Sequence, residues 1–170
     1  MDRDNQQKTL SESELGWLGG IIDGEGTISI HRMFSHGKNI TLSPRISIPN
    51  TNIIIFSKVC SILDSLDIGR HVEKRDNKKN NKWKDCYIAQ ISNITGTKKF
   101  LDKMMQYFFG KKDQAELVLS FCNSRINTYE NTHCKRSPYT EEEKNMYFQS
   151  IELNRKGKKE DSQRLHANLP

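Results

Sequence analysis

Leu15-Gly16-Trp17-Leu18-Gly19-Gly20-Ile21-Ile22-Asp23-Gly24-Glu25-Gly26 joins an apolar, glycine-bearing segment directly to two carboxylates. Its spacing predicts a helix: Leu15, Leu18 and Ile22 recur at three and four residues, Ser11 or Ser13 can cap the start, and Gly24 and Gly26 stop it. Asp23 and Glu25 then sit at the C-terminal end, where the helix dipole concentrates negative charge. An anion there loses roughly 0.3 to 1 kcal/mol unless something positive compensates. A divalent cation would compensate. Gly16, Gly19 and Gly20 are a second anomaly, since each costs about 0.5 to 1 kcal/mol against alanine inside a helix. The usual return is close approach of another backbone. An ordinary core helix followed by an acidic turn is the plainer reading of the same residues.

Downstream, Thr27-Ile28-Ser29-Ile30-His31 alternates polar and apolar residues, as a strand with one buried face does. His36-Gly37-Lys38-Asn39 reads as a turn. A second alternation follows, with Leu42, Pro44, Ile46 and Ile48 on one face and Thr41, Ser43, Arg45 and Ser47 on the other. Pro44 suggests an edge position or a bulge. Asn50-Thr51-Asn52 offers caps for a helix through Ile55, Phe56, Val59, Ile62, Leu63 and Leu66, ending near Gly69. A second hairpin is expected from Arg70 to Ile91, with its loop at Asn77 to Lys82. Two helices, about Thr97 to Phe108 and Asp113 to Ile126, precede a last one that Thr140-Glu141-Glu142-Glu143 opens with a capping box. The order is helix, hairpin, helix, hairpin, helices: an α+β arrangement.

The 170 residues suit one domain, expected over 11–155, with an N-terminal extension at 1–10 and a basic, mobile tail at 156–170. A net charge of +6 suggests a polyanionic partner, nucleic acid being the simplest. No stretch approaches a membrane span and the N-terminus is too polar for a secretory signal, so a soluble intracellular protein with no membrane partner is expected. Cys60, Cys86, Cys122 and Cys134 contain no C-x-x-C pair and fit no common zinc site.

Leu18-Gly19-Gly20-Ile21-Ile22-Asp23-Gly24-Glu25-Gly26 resembles the LAGLIDADG homing endonuclease motif, and the element order is similar to the family's αββαββα core. The resemblance implies a curved four-stranded antiparallel sheet lying along the DNA major groove, with C-terminal helices behind it. It implies that Glu25 binds a catalytic Mg²⁺ or Mn²⁺, aided by backbone carbonyl oxygen near Gly24, while Asp23 is structural and bonded at the helix end. Gly19 and Gly20 would let two such helices pack at a twofold axis. Since the motif occurs once, the partner helix must come from a second subunit, giving a homodimer on a near-palindromic site.

Further positions follow from the same resemblance. Phe109-Gly110-Lys111-Lys112-Asp113-Gln114-Ala115-Glu116-Leu117 resembles the family's lysine-bearing turn, which makes Lys111, with Lys112 beside it, the residue that polarises the attacking water or stabilises charge. Asn50 falls where the family has a polar side chain that orients solvent; an N-cap for the next helix explains it equally well. Ser29, His31, Met33, Ser35, Thr41, Ser43, Arg45 and Ser47 on the first hairpin form the open face. Arg75, Lys84 and Gln90 join them from the second, with Lys78, Lys79 and Lys82 reaching phosphates from its loop. For any one of these residues, a solvated sheet face is the commoner explanation.

The leading expectation is an intron-encoded or intein-type, metal-dependent, sequence-specific endonuclease. Two others compete with it: a non-cleaving relative acting as an RNA maturase or DNA-binding regulator, with intron RNA as a further partner, and a generic basic α+β domain. Retention of both Asp23 and Glu25 favours catalysis.

Overall fold

The computed structural model describes residues 10–34, 40–76, 84–134 and 137–155. The elements are α1 (Glu12–Glu25), β1 (Thr27–Phe34), β2 (Ile40–Asn50), α2 (Ile53–Ser65), β3 (His71–Arg75), β4 (Cys86–Ile91), α3 (Ile94–Met104), a 3-10 turn (Met105–Tyr107), α4 (Lys112–Thr132) and α5 (Glu141–Leu153). The expected hairpin loops, Ser35, Lys78, Lys79, Lys82, the first nine residues and the tail from 156 lie outside the described residues.

Ser11 caps α1 through a capping box with Glu14. Glu14 also pairs with Lys58 of α2, and this bond, followed by that to the Ser11 backbone, lowers its carboxyl to about 2. The four strands run antiparallel in the order β1-β2-β4-β3, so the two hairpins meet where β2 pairs with β4. One sheet face carries Ile28, Ile30, Leu42, Ile46, Ile48, Ala89 and Ile91. These pack with Leu18 and Ile22 of α1, Phe56 and Ile62 of α2, Phe100 and Leu101 of α3, and Val118 and Phe121 of α4. Burying each such side chain fully contributes about 1.5 to 3 kcal/mol. Among the described residues no helix packs across the opposite face, and only the C-terminal end of α5 reaches its corner at Ser29.

Pro44 marks neither an edge strand nor a bulge, because β2 lies inside the sheet in unbroken register with β1. It is tolerated because β4 pairs only with Ile46 to Asn50, and Pro44 lacks its N–H on the side where, among the described residues, no strand runs. The outer edge of β1 is covered by α5: Ser150 Oγ accepts from Ile30 N (2.8 Å), and Asn154 Nδ2 donates to the Ile28 carbonyl (3.0 Å). That pairing protects an edge open to foreign strands.

Two helices differ in their bounds from the sequence reading, and a third selects one of the caps it offered. Asn93 caps α3 through Gly96 N, so the helix starts at Ile94 and ends in the 3-10 turn before Phe108. α4 runs on to Thr132, where His133 closes it in the left-handed region at φ 52°. The cap of α2 is Asn52, which accepts from the Ile54 and Ile55 amides, and Asn50 is not a helix cap. Asn50 instead closes the preceding turn, its Oδ1 accepting from Asn52 N (2.8 Å).

Candidate nucleic-acid interface

The end of α1 separates its two carboxylates. Asp23 points at the start of α4: Oδ2 accepts from the amides of Phe109 (2.7 Å) and Gly110 (3.0 Å), and Oδ1 from that of Lys111 (3.0 Å). Lys111 is the N-cap residue of α4 and its own side chain makes no cap bond; Asp23, from across the fold, takes the three successive amides that lead into that helix. The charge that α1's dipole disfavours is therefore held by backbone amides at the positive end of another helix. Lys111 closes the clasp by donating its Nζ to the Asp23 carbonyl. The anionic neighbour that rationalises a lysine at a helix N-terminus is thus supplied within the chain. Lys112 is exposed on the first turn of α4.

Glu25 ends α1 and is exposed. Gly24 lies in the same last turn, where a helix has no further amide for its carbonyl. Among the described residues no group of three or more His, Cys, Asp or Glu could hold a metal ion. One chain therefore presents a single exposed carboxylate with nearby carbonyl oxygen, all hard donors of the kind Mg²⁺ and Mn²⁺ accept.

The glycines of α1 divide into two sets. A Cβ on Gly19 would lie 2.5 Å from the Tyr107 carbonyl oxygen, so Gly19 serves close packing inside the chain. Tyr107 is held there by its hydroxyl bond to Glu12, which also raises its pKa. Gly16, Gly20 and Gly24, four residues apart, have nothing within 4 Å of their Cβ positions. They line one outward side of the helix, beside the partly exposed Trp17.

The face of the sheet away from the helices carries most of the expected contact residues as cross-strand neighbours: Ser29 opposite Arg45, His31 opposite Ser43, Met33 opposite Thr41, and Ser47 opposite Gln90. Ser29 departs from the expectation of an open position, being only 8% exposed with no hydrogen-bond partner for its hydroxyl among the described residues. Its place directly opposite Arg45, near the C-terminal end of α5, accounts for the burial. The Arg45 guanidinium extends along the face to Met33 Sδ (3.9 Å). Burial first, and then the Arg45 charge, hold the His31 imidazole below its ordinary pKa. Ser43 Oγ donates to the Ser92 carbonyl (3.0 Å). Arg75 is on the same side but pairs with Glu73 (2.9 Å), which lowers the Glu73 carboxyl and offsets the positive charge. Lys84 is exposed and precedes β4 instead of lying in it.

Thr27 and His71 also belong to this face, through their pairing with Ser47 and Gln90, and the sequence reading omitted both. Thr27 was legible by alternation with Ser29 and His31. His71 was not, because only the register with β4 assigns its side. The partnership of Asp23 with residues 109 to 111 had no local signal.

No protein-family model and no curated protein matches the chain. Solved structures do. An archaeal intron-encoded homing endonuclease, I-Vdi141I, complexed with DNA, is 19% identical and superposes with a TM-score of 0.65 over 91% of this chain and 92% of its own. The homing endonuclease I-CvuI, in complex with its target in the presence of calcium, is 18% identical, with a TM-score of 0.60 over 91% and 90%. The LAGLIDADG homing endonuclease I-GzeII, in complex with a DNA target, is 13% identical, with a TM-score of 0.54 over 82% of this chain and 43% of its own. With its helix, hairpin, helix, hairpin order and its four-stranded antiparallel sheet, the chain has the fold of the LAGLIDADG homing endonucleases.

Proposed function

We propose that this chain is a sequence-specific DNA endonuclease that acts as a homodimer, with divalent metal, on a long, near-palindromic duplex site. The observation that carries this reading is the division of labour at the end of α1. Asp23 is consumed by the fold, whereas Glu25, two residues on, is exposed at the tip of a helix whose outward side is lined by glycine. Two copies of α1, packed along Gly16, Gly20 and Gly24, would bring two Glu25 carboxylates together and complete a donor set that one chain lacks.

Glu25 and the Gly24 carbonyl would hold Mg²⁺ or Mn²⁺ together with DNA phosphate oxygens. A bound divalent ion supplies an acidified water and neutralises charge on the phosphate. The chain's own groups do the rest. Lys111 keeps an ammonium beside the Asp23 carbonyl, close to the end of α1, where it would offset charge that builds on the phosphate. Asn50 uses its side-chain oxygen within the turn, leaving its amide nitrogen as the group that would orient solvent. Arg45, His31, Thr41, Ser47 and Gln90 would read base edges in the major groove, and Arg45 is suited to two bonds with guanine.

Cleavage of a duplex library of randomised palindromes with Mg²⁺, by wild type and Glu25→Gln in parallel, tests the proposal. Site-specific double-strand cuts that disappear in the variant are expected. Tight, selective binding without cutting by wild type would assign the chain to the non-cleaving regulators or maturases, and neither binding nor cutting would remove the DNA reading.

A further inference from the structure

β2 outruns the strand beside it. Because β4 pairs only from Ile46 to Asn50, the outer part of β2 has β1 on one side and, among the described residues, no strand on the other. On that side, among the described residues, Ser43 Oγ reaches the Ser92 carbonyl (3.0 Å), and the backbone of Leu42 is taken by one side chain in place of a strand. The Tyr139 hydroxyl accepts from Leu42 N (2.8 Å) and donates to the Leu42 carbonyl (3.1 Å). One hydroxyl has one proton and two lone pairs, so it closes both backbone groups at once.

Tyr139 is itself held from behind. The Arg125 guanidinium lies 4.6 Å from the centre of its ring. Arg125 is 6% exposed and donates to Glu143 (3.1 Å) and to the carbonyls of Ser137 (3.1 Å) and Pro138 (3.4 Å). Glu143, fully buried, also accepts from Ser124 Oγ (2.8 Å) and Thr140 N (3.0 Å). A buried ion pair so completely hydrogen-bonded contributes fixed geometry more than net stability. It ties α4, α5 and the segment leading into α5 into one clamp whose far end is the Tyr139 hydroxyl.

The residues flanking Leu42 are Thr41 and Ser43, both on the open face of the sheet. Hydrogen-bond readout fails beyond about 3.5 Å, so a displacement of this strand by an ångström removes it. We propose that Tyr139 is a positioning residue for target recognition, fixing the outer end of β2 and so setting how Thr41 and Ser43 meet the outer base pairs of each half-site. This rests on the DNA-binding reading above.

Tyr139→Phe tests it, because the ring stays against Arg125 and only the hydroxyl goes. Amide hydrogen exchange of the free protein is expected to show Leu42 opening about tenfold faster. Selection from a duplex library is expected to show preference at the outermost contacted positions falling roughly fivefold to tenfold. Preference at positions read by Ser47 and Gln90, and the cleavage rate at saturating protein, should stay within about twofold of wild type, the difference expected of distant and independent sites. Unchanged outer preference in the variant, or a loss spread evenly over all positions, overturns the assignment while leaving the endonuclease reading intact. A wild type that selects no duplex overturns the endonuclease reading, and this one with it.

Discussion

Replacing Asp23 by Asn should damage the fold, whereas replacing Glu25 by Gln should damage only the chemistry. Asp23 accepts three amides with two oxygens, and Asn has one oxygen. Turned to keep Phe109 and Gly110, the Asn side chain must face the Lys111 N–H with an NH₂ group, donor against donor. The lost bond to a charged acceptor is worth about 1.5 to 3 kcal/mol. Loss of negative charge at the N-terminus of α4 adds roughly 0.3 to 1 kcal/mol. The sum is about 2 to 4 kcal/mol, which moves a urea midpoint by about 1 to 2 M at the slopes usual for small proteins. Glu25 is exposed, so Glu25→Gln should stay within about 0.5 kcal/mol of wild type while abolishing cleavage. Urea unfolding followed by circular dichroism, at one fixed protein concentration because association shifts the midpoint, measures both. An Asp23→Asn midpoint within experimental error of wild type, or equal destabilisation by the two variants, would refute the assignment of separate roles.

Alanine at Gly19 and at Gly20 should act with opposite signs. At Gly19 the new Cβ meets the Tyr107 backbone at 2.5 Å, so a net loss of about 1 to 2 kcal/mol is expected despite better helix propensity. At Gly20 there is open space, so the isolated chain should gain about 0.5 to 1 kcal/mol. Self-association, read by sedimentation, should weaken, and unchanged association would show that α1 is not the dimer seam. Arg45→Ala should relax base preference at one position per half-site by about 1 to 3 kcal/mol, and a cleavage profile unaltered at every position removes Arg45 as a base reader. His31 has a folded pKa below its ordinary 6.5. The unfolded chain therefore binds the proton first, and stability falls as pH drops below about 6.5. His31→Gln should flatten that slope in pH-dependent melts, and an identical slope would refute it.

Most of what repeats along the chain, and several of the caps settled within one turn, were legible from the residues alone. Period-two alternation assigned Leu42, Ile46 and Ile48 to the core and Thr41, Arg45 and Ser47 to the open face, because successive residues of a strand point to opposite sides. Ser11 and Thr140 announced their helices because a cap is satisfied by amides two or three residues away. The glycine and acid pattern of residues 18–26 marked the helix that carries Glu25. What distant segments do to one another follows from the folded arrangement alone. Spacing and charge do not tell Asp23 from Glu25, which only the family resemblance separates in the sequence; in the fold they part because the start of α4, nearly ninety residues on, takes one and not the other. Gly19 and Gly20 likewise differ only in that Tyr107 packs against the first. Ser29 alternates correctly and is still buried, and Pro44 sits inside a sheet because the neighbouring strand stops short of it. Hydrogen bonds and close contacts act over a few ångströms, and neither alternation nor capping records which residues the fold will bring within that range.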